Sequence, residues 1–154
     1  MTLTALKPRT IIKDTPKLER AYIQFEKLLN ELQKRDLPEA IVNTINPYIE
    51  ALNALPDNEK TLRTQLKKHL KKIVTLLEKE LQLVPKNYYQ QKWMAIGISV
   101  FGIPLGVVFG TSLGNMAFLG IGLPIGMAMG IAVGSEKDKK AQAEGRQLDL
   151  ELKY

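Results

Sequence analysis

The chain has 154 residues, of which 45% are hydrophobic and 25% charged, with a formal net charge of +6 and no cysteine. The absence of thiols excludes a disulfide framework, a thiolate nucleophile, an iron–sulfur cluster and any cysteine zinc site. These averages hide a partition: no glycine precedes Gly97, ten of the eleven lie between Gly97 and Gly134, and residues 93–135 contain no Asp, Glu, Lys, Arg or His.

Residues 1–15 form an N-terminal arm. It has an apolar pair at Ile11 and Ile12 but no apolar stretch of the roughly 7–15 residues that a secretory signal needs, so the chain is expected to start in the cytoplasm. A helical bundle is expected over residues 16–84. Its first helix starts near Pro16 behind a Thr15 cap and ends near Asp36, with Leu18, Tyr22, Phe25, Leu29 and Leu32 on one stripe. Pro38 opens a second helix, with Ile41, Ile45, Ile49 and Leu52 as its stripe. Pro47 lacks an amide donor and predicts a division near Asn46 into two short pieces. The third helix follows Pro56 and a cap at Asp57. It carries Leu62, Leu66, Leu70, Ile73, Leu77 and Leu81 and reaches about Leu83.

The formal charge of +6 resides wholly in residues 1–92, because the tail is balanced. On the third helix, Arg63, Lys67, Lys68, Lys71 and Lys72 cluster around His69. Such residues gain about 1 kcal/mol each beside an anionic membrane surface, and the same pattern equally describes a solvated helix face. Nucleic acid is not expected as a partner, since no glycine-rich or aromatic-interleaved motif accompanies the charges. His69, the one histidine, cannot form a catalytic pair or metal site by itself and is read as a surface residue.

After a juxtamembrane linker at 85–92, the uncharged block accommodates two membrane spans, 93–112 and 116–135, around a turn at Leu113, Gly114 and Asn115. Tyr88, Tyr89, Trp93 and Lys92 suit one membrane interface, with Lys137, Lys139 and Lys140 flanking the other end. Basic residues on both outer flanks predict that both termini are cytoplasmic. A soluble alternative would need a large oligomer or a shielded state to cover two helices that are apolar all round.

The block contains a repeat offset by 20 residues, GIPLGVVFGTSLG and GLPIGMAMGIAVG. It sets Gly102, Gly106, Gly110 and Gly114 on one ladder and Gly122, Gly126, Gly130 and Gly134 on another. Glycines four apart let helix backbones approach closely in lipid. A hairpin folded about Gly114 brings Gly102 level with Gly126 and Gly106 level with Gly122. Gly110, Gly114, Gly130 and Gly134 are then free for neighbouring subunits. That arrangement predicts a homo-oligomer. Pro104 and Pro124 would kink both helices at one depth.

The segment from Gly97 through Leu148, with the doubled ladder followed by GSEKDKKAQAEGRQL, resembles the bacterial glycine-zipper transmembrane hairpin proteins. The resemblance covers about residues 97–148, carries over no catalytic residue and implies a bacterial membrane protein. With the charge pattern, the expected location is the inner membrane. In the tail, 136–154, helix continues to Gly145. Leu148, Leu150 and Leu152 alternate with charges and could add a strand to a partner's sheet, although a disordered tail is favoured.

The expected fold class is all-α: a cytoplasmic region resembling a three-helix bundle, then a two-helix transmembrane hairpin. The corresponding function is a self-associating membrane interaction protein presenting a basic helical domain. A pore assembled from several hairpins is the alternative. The bilayer and further copies of the chain are the expected partners, with room for a cytoplasmic protein. No cofactor, metal or catalytic site is expected, because no nucleophile is placed with a base.

Overall fold

The computed structural model describes residues 2–12 and 15–152, and the chain forms two compact units: Met1–Leu83 with Leu148–Tyr154, and Val84–Gln147. The first unit contains α1 (Pro16–Gln33), α2 (Glu39–Asn53) and α3 (Glu59–Leu81). Their apolar stripes form the core, in which Leu18, Phe25, Ile45, Ile49, Ile73 and Leu77 are fully buried.

Two helix boundaries differ from the sequence expectation. Asn58, not Asp57, caps α3, its Oδ1 accepting the Thr61 N–H at 3.0 Å. Asp57 instead pairs with Arg9. Helix α2 runs unbroken through Pro47 rather than splitting at Asn46. Pro47 and Asn43, whose carbonyl loses its partner to the ring, both face solvent, and buried Ile41, Val42, Ile45, Ile49 and Leu52 hold the helix on either side.

The N-terminal arm is part of this unit. Thr4 N–H donates to Asn46 Oδ1 at 2.9 Å and Lys7 N–H to Asn53 Oδ1 at 2.8 Å, so side chains seven residues apart on α2 receive an extended backbone. Arg9, whose side chain is 8% exposed, donates to the carbonyls of Leu52, Asn53 and Leu55 and to Asp57. Leu52 and Asn53 end α2 and Leu55 follows it, so the guanidinium supplies donors to carbonyls at and just beyond the open carboxyl end of that helix.

The tail is ordered, contrary to the disordered reading. Residues Val84–Lys86 form strand β1 and Gln147–Glu151 strand β2. Leu148, Leu150 and Leu152 are buried, and Glu31 Oε2 accepts the Asp149 N–H at 3.2 Å. Burial contributes about 1.5–3 kcal/mol per leucine, and the period-2 pattern puts all three on one face.

The second unit is a helical hairpin. Its first arm comprises α4 (Tyr88–Gly97), a five-residue π-helical segment (Ile98–Gly102) and α5 (Ile103–Ser112). Its second arm comprises a 3-10 turn (Met116–Phe118) and α6 (Leu119–Ala143). At the turn Gly114 takes φ +65°, and Asn115 Oδ1 accepts the Ala117 N–H at 2.9 Å. The arms, Tyr88–Ser112 and Met116–Ala143, are long and apolar enough to cross a membrane. By helical rise they extend about 37 and 42 Å, longer than a bilayer core of about 30 Å. Much of the expected linker, from Tyr88, and of the expected tail, to Ala143, therefore belongs to these helices.

Candidate functional site

The defining geometry of the hairpin is the seam between its arms. Gly97, Gly102, Gly106 and Gly110 on the first arm and Gly122, Gly126, Gly130 and Gly134 on the second are all buried. A methyl group on Gly126 would collide with the backbones of Gly97 and Gly102, and one on Gly122 with those of Gly102 and Gly106. Added at Gly106 it would lie 2.6 Å from the Leu119 carbonyl oxygen, and at Gly110 3.1 Å from the Met116 sulfur. Gly130 abuts Trp93 and Met94, and Gly134 abuts Tyr89 and Gln90. Only the glycines' lack of a side chain permits this backbone contact.

These contacts correct the expectation of free rungs. Gly110, Gly130 and Gly134 are occupied within one chain and offer no surface to a neighbouring subunit. Gly114 is not a rung: nothing lies within 4 Å of a methyl built there, and its use is the left-handed turn.

The register differs as well at the open end. Folding about Gly114 would set Gly134 level with Met94, whereas it meets Tyr89 and Gln90, about one turn away. The 3-10 turn climbs more per residue than an α-helix, and the π segment on the opposite arm climbs less, so both shift the register in the same direction. Gly126 meets Gly102 and Gly122 meets Gly106, the rungs expected from folding about Gly114, although Gly126 also reaches Gly97 and Gly122 also reaches Gly102. Pro124 lies inside continuous α6, while the π segment immediately precedes Pro104, with Ile103 N–H bonded to the Ile98 carbonyl.

That π segment brings in a glycine outside the repeat. Gly97 precedes Gly102 by five residues, a spacing that on a regular α-helix rotates it about 140° off the ladder. The wider π turn absorbs the extra residue. Gly97 thereby faces Gly126 and Gly130.

Asp138 is the other contributor missed by the sequence reading. It is 6% exposed, with Oδ1 accepting the Tyr89 N–H at 3.0 Å and Oδ2 the Gln90 N–H at 2.8 Å. Asn87, the residue preceding α4, supplies no side-chain cap, so a carboxylate from the other arm satisfies that helix's open amides. The signal was present, since Asp138 continues the four-residue step of Gly126, Gly130 and Gly134.

Around this end of the hairpin, Tyr88 and Tyr89 meet edge to face at 5.4 Å, Lys92 Nζ lies 5.5 Å from the Tyr88 ring and Lys137 Nζ 5.4 Å from the Trp93 ring. Lys140 pairs with Glu144 at 4.0 Å, and Lys139 is exposed. The faces turned away from the seam are apolar, with Val100, Val108, Ile121, Met129 and Val133 exposed. Ser99 and Thr111 hydroxyls donate to the Ala95 and Val107 carbonyls of their own helices, at 3.0 and 2.9 Å. No family model, curated protein or solved structure matches the chain. The hairpin's geometry and composition are those of a membrane-interacting helical protein.

In the first unit, the basic residues of α3 do not form one surface. Arg63 and Lys67 line a groove beside α1, together with Lys17 and Arg20. Lys72, about 140° round the helix from Lys67, lies 5.4 Å from the Tyr48 ring of α2. The His69 ring lies tilted by 41° against the same ring, with centroids 5.2 Å apart, and its Nδ1 is buried and unpartnered. Burial, with Lys72 and Lys68 nearby, holds the imidazole below its ordinary pKa, so it is a half-buried packing residue rather than a surface one. Among the described residues no group of three or more His, Asp or Glu side chains is placed to hold a metal ion.

Proposed function

We propose that this chain is a membrane-anchored interaction protein. A hairpin closed on its own glycines spans the bilayer and holds the helical unit and both termini on the cytoplasmic face of a bacterial inner membrane. The observation that carries this reading is the distribution of side chains on the hairpin. Its ladder glycines with Gly97 face inward, Gly114 apart, and Val, Ile, Phe and Met side chains face outward, the reverse of what water would favour. The charge pattern supports the topology, because Lys92, Lys137, Lys139 and Lys140 flank the open end and the turn carries no charge.

The same geometry favours an anchor over a pore. Hairpins assembled into a pore would line it with apolar side chains or with hydroxyls already bonded inside their helices. The seam is backbone on backbone, so we assign the glycine-zipper contact to the joining of two helices of one chain rather than of neighbouring subunits.

The cysteine-free chain makes a direct test simple. Thr2→Cys, Asn115→Cys and Gln142→Cys variants are labelled in sealed vesicles with a membrane-impermeant maleimide. Thr2→Cys and Gln142→Cys should share one accessibility and Asn115→Cys should show the opposite. Equal accessibility of all three, or recovery of the chain as a small soluble species without detergent, overturns the reading.

A further inference from the structure

The groove between α1 and α3 is the most unusual surface of the first unit. Lys17 and Arg20 of α1 and Arg63 and Lys67 of α3 line it, over a volume of about 650 Å³. Among the described residues no carboxylate lines it, and none of the four side chains makes a hydrogen bond or an ion pair.

Folding alone does not favour this arrangement. Lys17 and Arg20 sit near the amino end of α1, where open N–H groups and aligned peptide dipoles already make the potential positive and cations are disfavoured. Glu19, the acidic residue of that first turn, does not line the groove. Four like charges repel one another, and no described lining residue offsets them. A multiply charged anion would.

We propose that the α1–α3 groove binds a phosphate-bearing group with two or more negative charges, presented by a lipid headgroup or by a free phosphorylated compound. Two guanidinium groups offer paired N–H donors matched to phosphate oxygens, and two ammonium groups add point charges. The groove's volume is that of a small-ligand site. Ala21 and Ile23 give it an apolar wall. Among the described residues no aromatic ring lines it, so they offer no stacking platform of the kind on which single-stranded nucleic acid is held. Lys68, Lys71 and Lys72 lie outside the groove and are internal controls.

The test uses the full chain in phosphatidylcholine nanodiscs at physiological ionic strength, titrated calorimetrically with sodium tripolyphosphate. Saturable binding of one tripolyphosphate per chain is expected. The Arg20→Ala/Arg63→Ala pair should weaken it at least about tenfold, and Lys68→Ala/Lys71→Ala less than about twofold. If the arginine pair lowers helix content by circular dichroism, Lys17→Gln/Lys67→Gln gives the same contrast through two exposed side chains. Repeating the titration in nanodiscs containing cardiolipin, whose headgroup bears two phosphates, separates the sources. Loss of tripolyphosphate binding there identifies the headgroup, and unchanged binding identifies a free compound. Absence of saturable binding, or equal weakening by the groove and control pairs, overturns the proposal. Neither result depends on which way the hairpin is inserted.

Discussion

Asp138 caps α4 from the opposite arm of the hairpin, its Oδ2 accepting the Gln90 N–H at 2.8 Å while Oδ1 accepts that of Tyr89. One buried carboxylate thus closes the open end of the seam. Asp138→Ala leaves two part-buried amides without their acceptors and should destabilise the hairpin by about 2–3 kcal/mol. Asp138→Asn, which retains one acceptor, should lose about half as much. Amide hydrogen exchange in micelles is the measurement: Tyr89 and Gln90 should lose protection first and most.

The seam sets a contrast between two glycines on α6. Gly126→Ala places a methyl against the Gly97 and Gly102 backbones and should separate the arms. Gly120 has nothing within 4 Å of an added methyl, so Gly120→Ala should be neutral or slightly stabilising through helix propensity. Thermal unfolding in detergent, followed by circular dichroism, distinguishes them, with only the Gly126 variant melting lower.

At the tail, Glu31 accepts from Lys34 Nζ at 2.6 Å and from the Asp149 amide. The Lys34 hydrogen bond, more than any other contact, holds this carboxyl below its ordinary pKa of 4.5. Because the folded value is depressed, the stabilisation is fully present above about pH 4.5 and is lost as pH falls through the folded value. Limited proteolysis near β2 should therefore increase on acidification below pH 4.5. Glu31→Gln should remove much of that dependence.

His69 gives a second pH dependence, in a higher range. Its folded pKa is lowered from 6.5, chiefly by burial, so the unfolded chain binds the proton more readily. Stability of the first unit should be full above about pH 6.5 and decline as pH falls through that value toward the folded pKa. His69→Phe should flatten the slope of denaturant stability between pH 7 and pH 5 and leave the Glu31 window intact.

The sequence exposed what depends on local periodicity. The stripes from Leu18 to Leu32 and from Leu62 to Leu77 placed their helices, and the charge-free block placed the hairpin and its turn at Gly114. What it concealed depends on a partner distant in the chain. Arg9 and Asn53 look like ordinary polar residues until the arm and the end of α2 meet, and the tail leucines look exposed until their face is covered. Pro47 reads as a break locally because the buried residues that hold α2 are a tertiary effect. Gly97 fell outside the four-residue ladder because that spacing presumes a regular α-helix, and only the π segment restores its face.

The central claim is that the glycine ladders meet within one chain. An isotope-filtered nuclear Overhauser experiment on full-length protein in micelles, mixing labelled with unlabelled chains, addresses it most directly. Contacts between the α-protons of Gly126 and Gly102 should appear in the intramolecular spectrum and be absent from the intermolecular one. The same contact in the intermolecular spectrum would mean that the ladders join neighbouring chains, and would contradict the account.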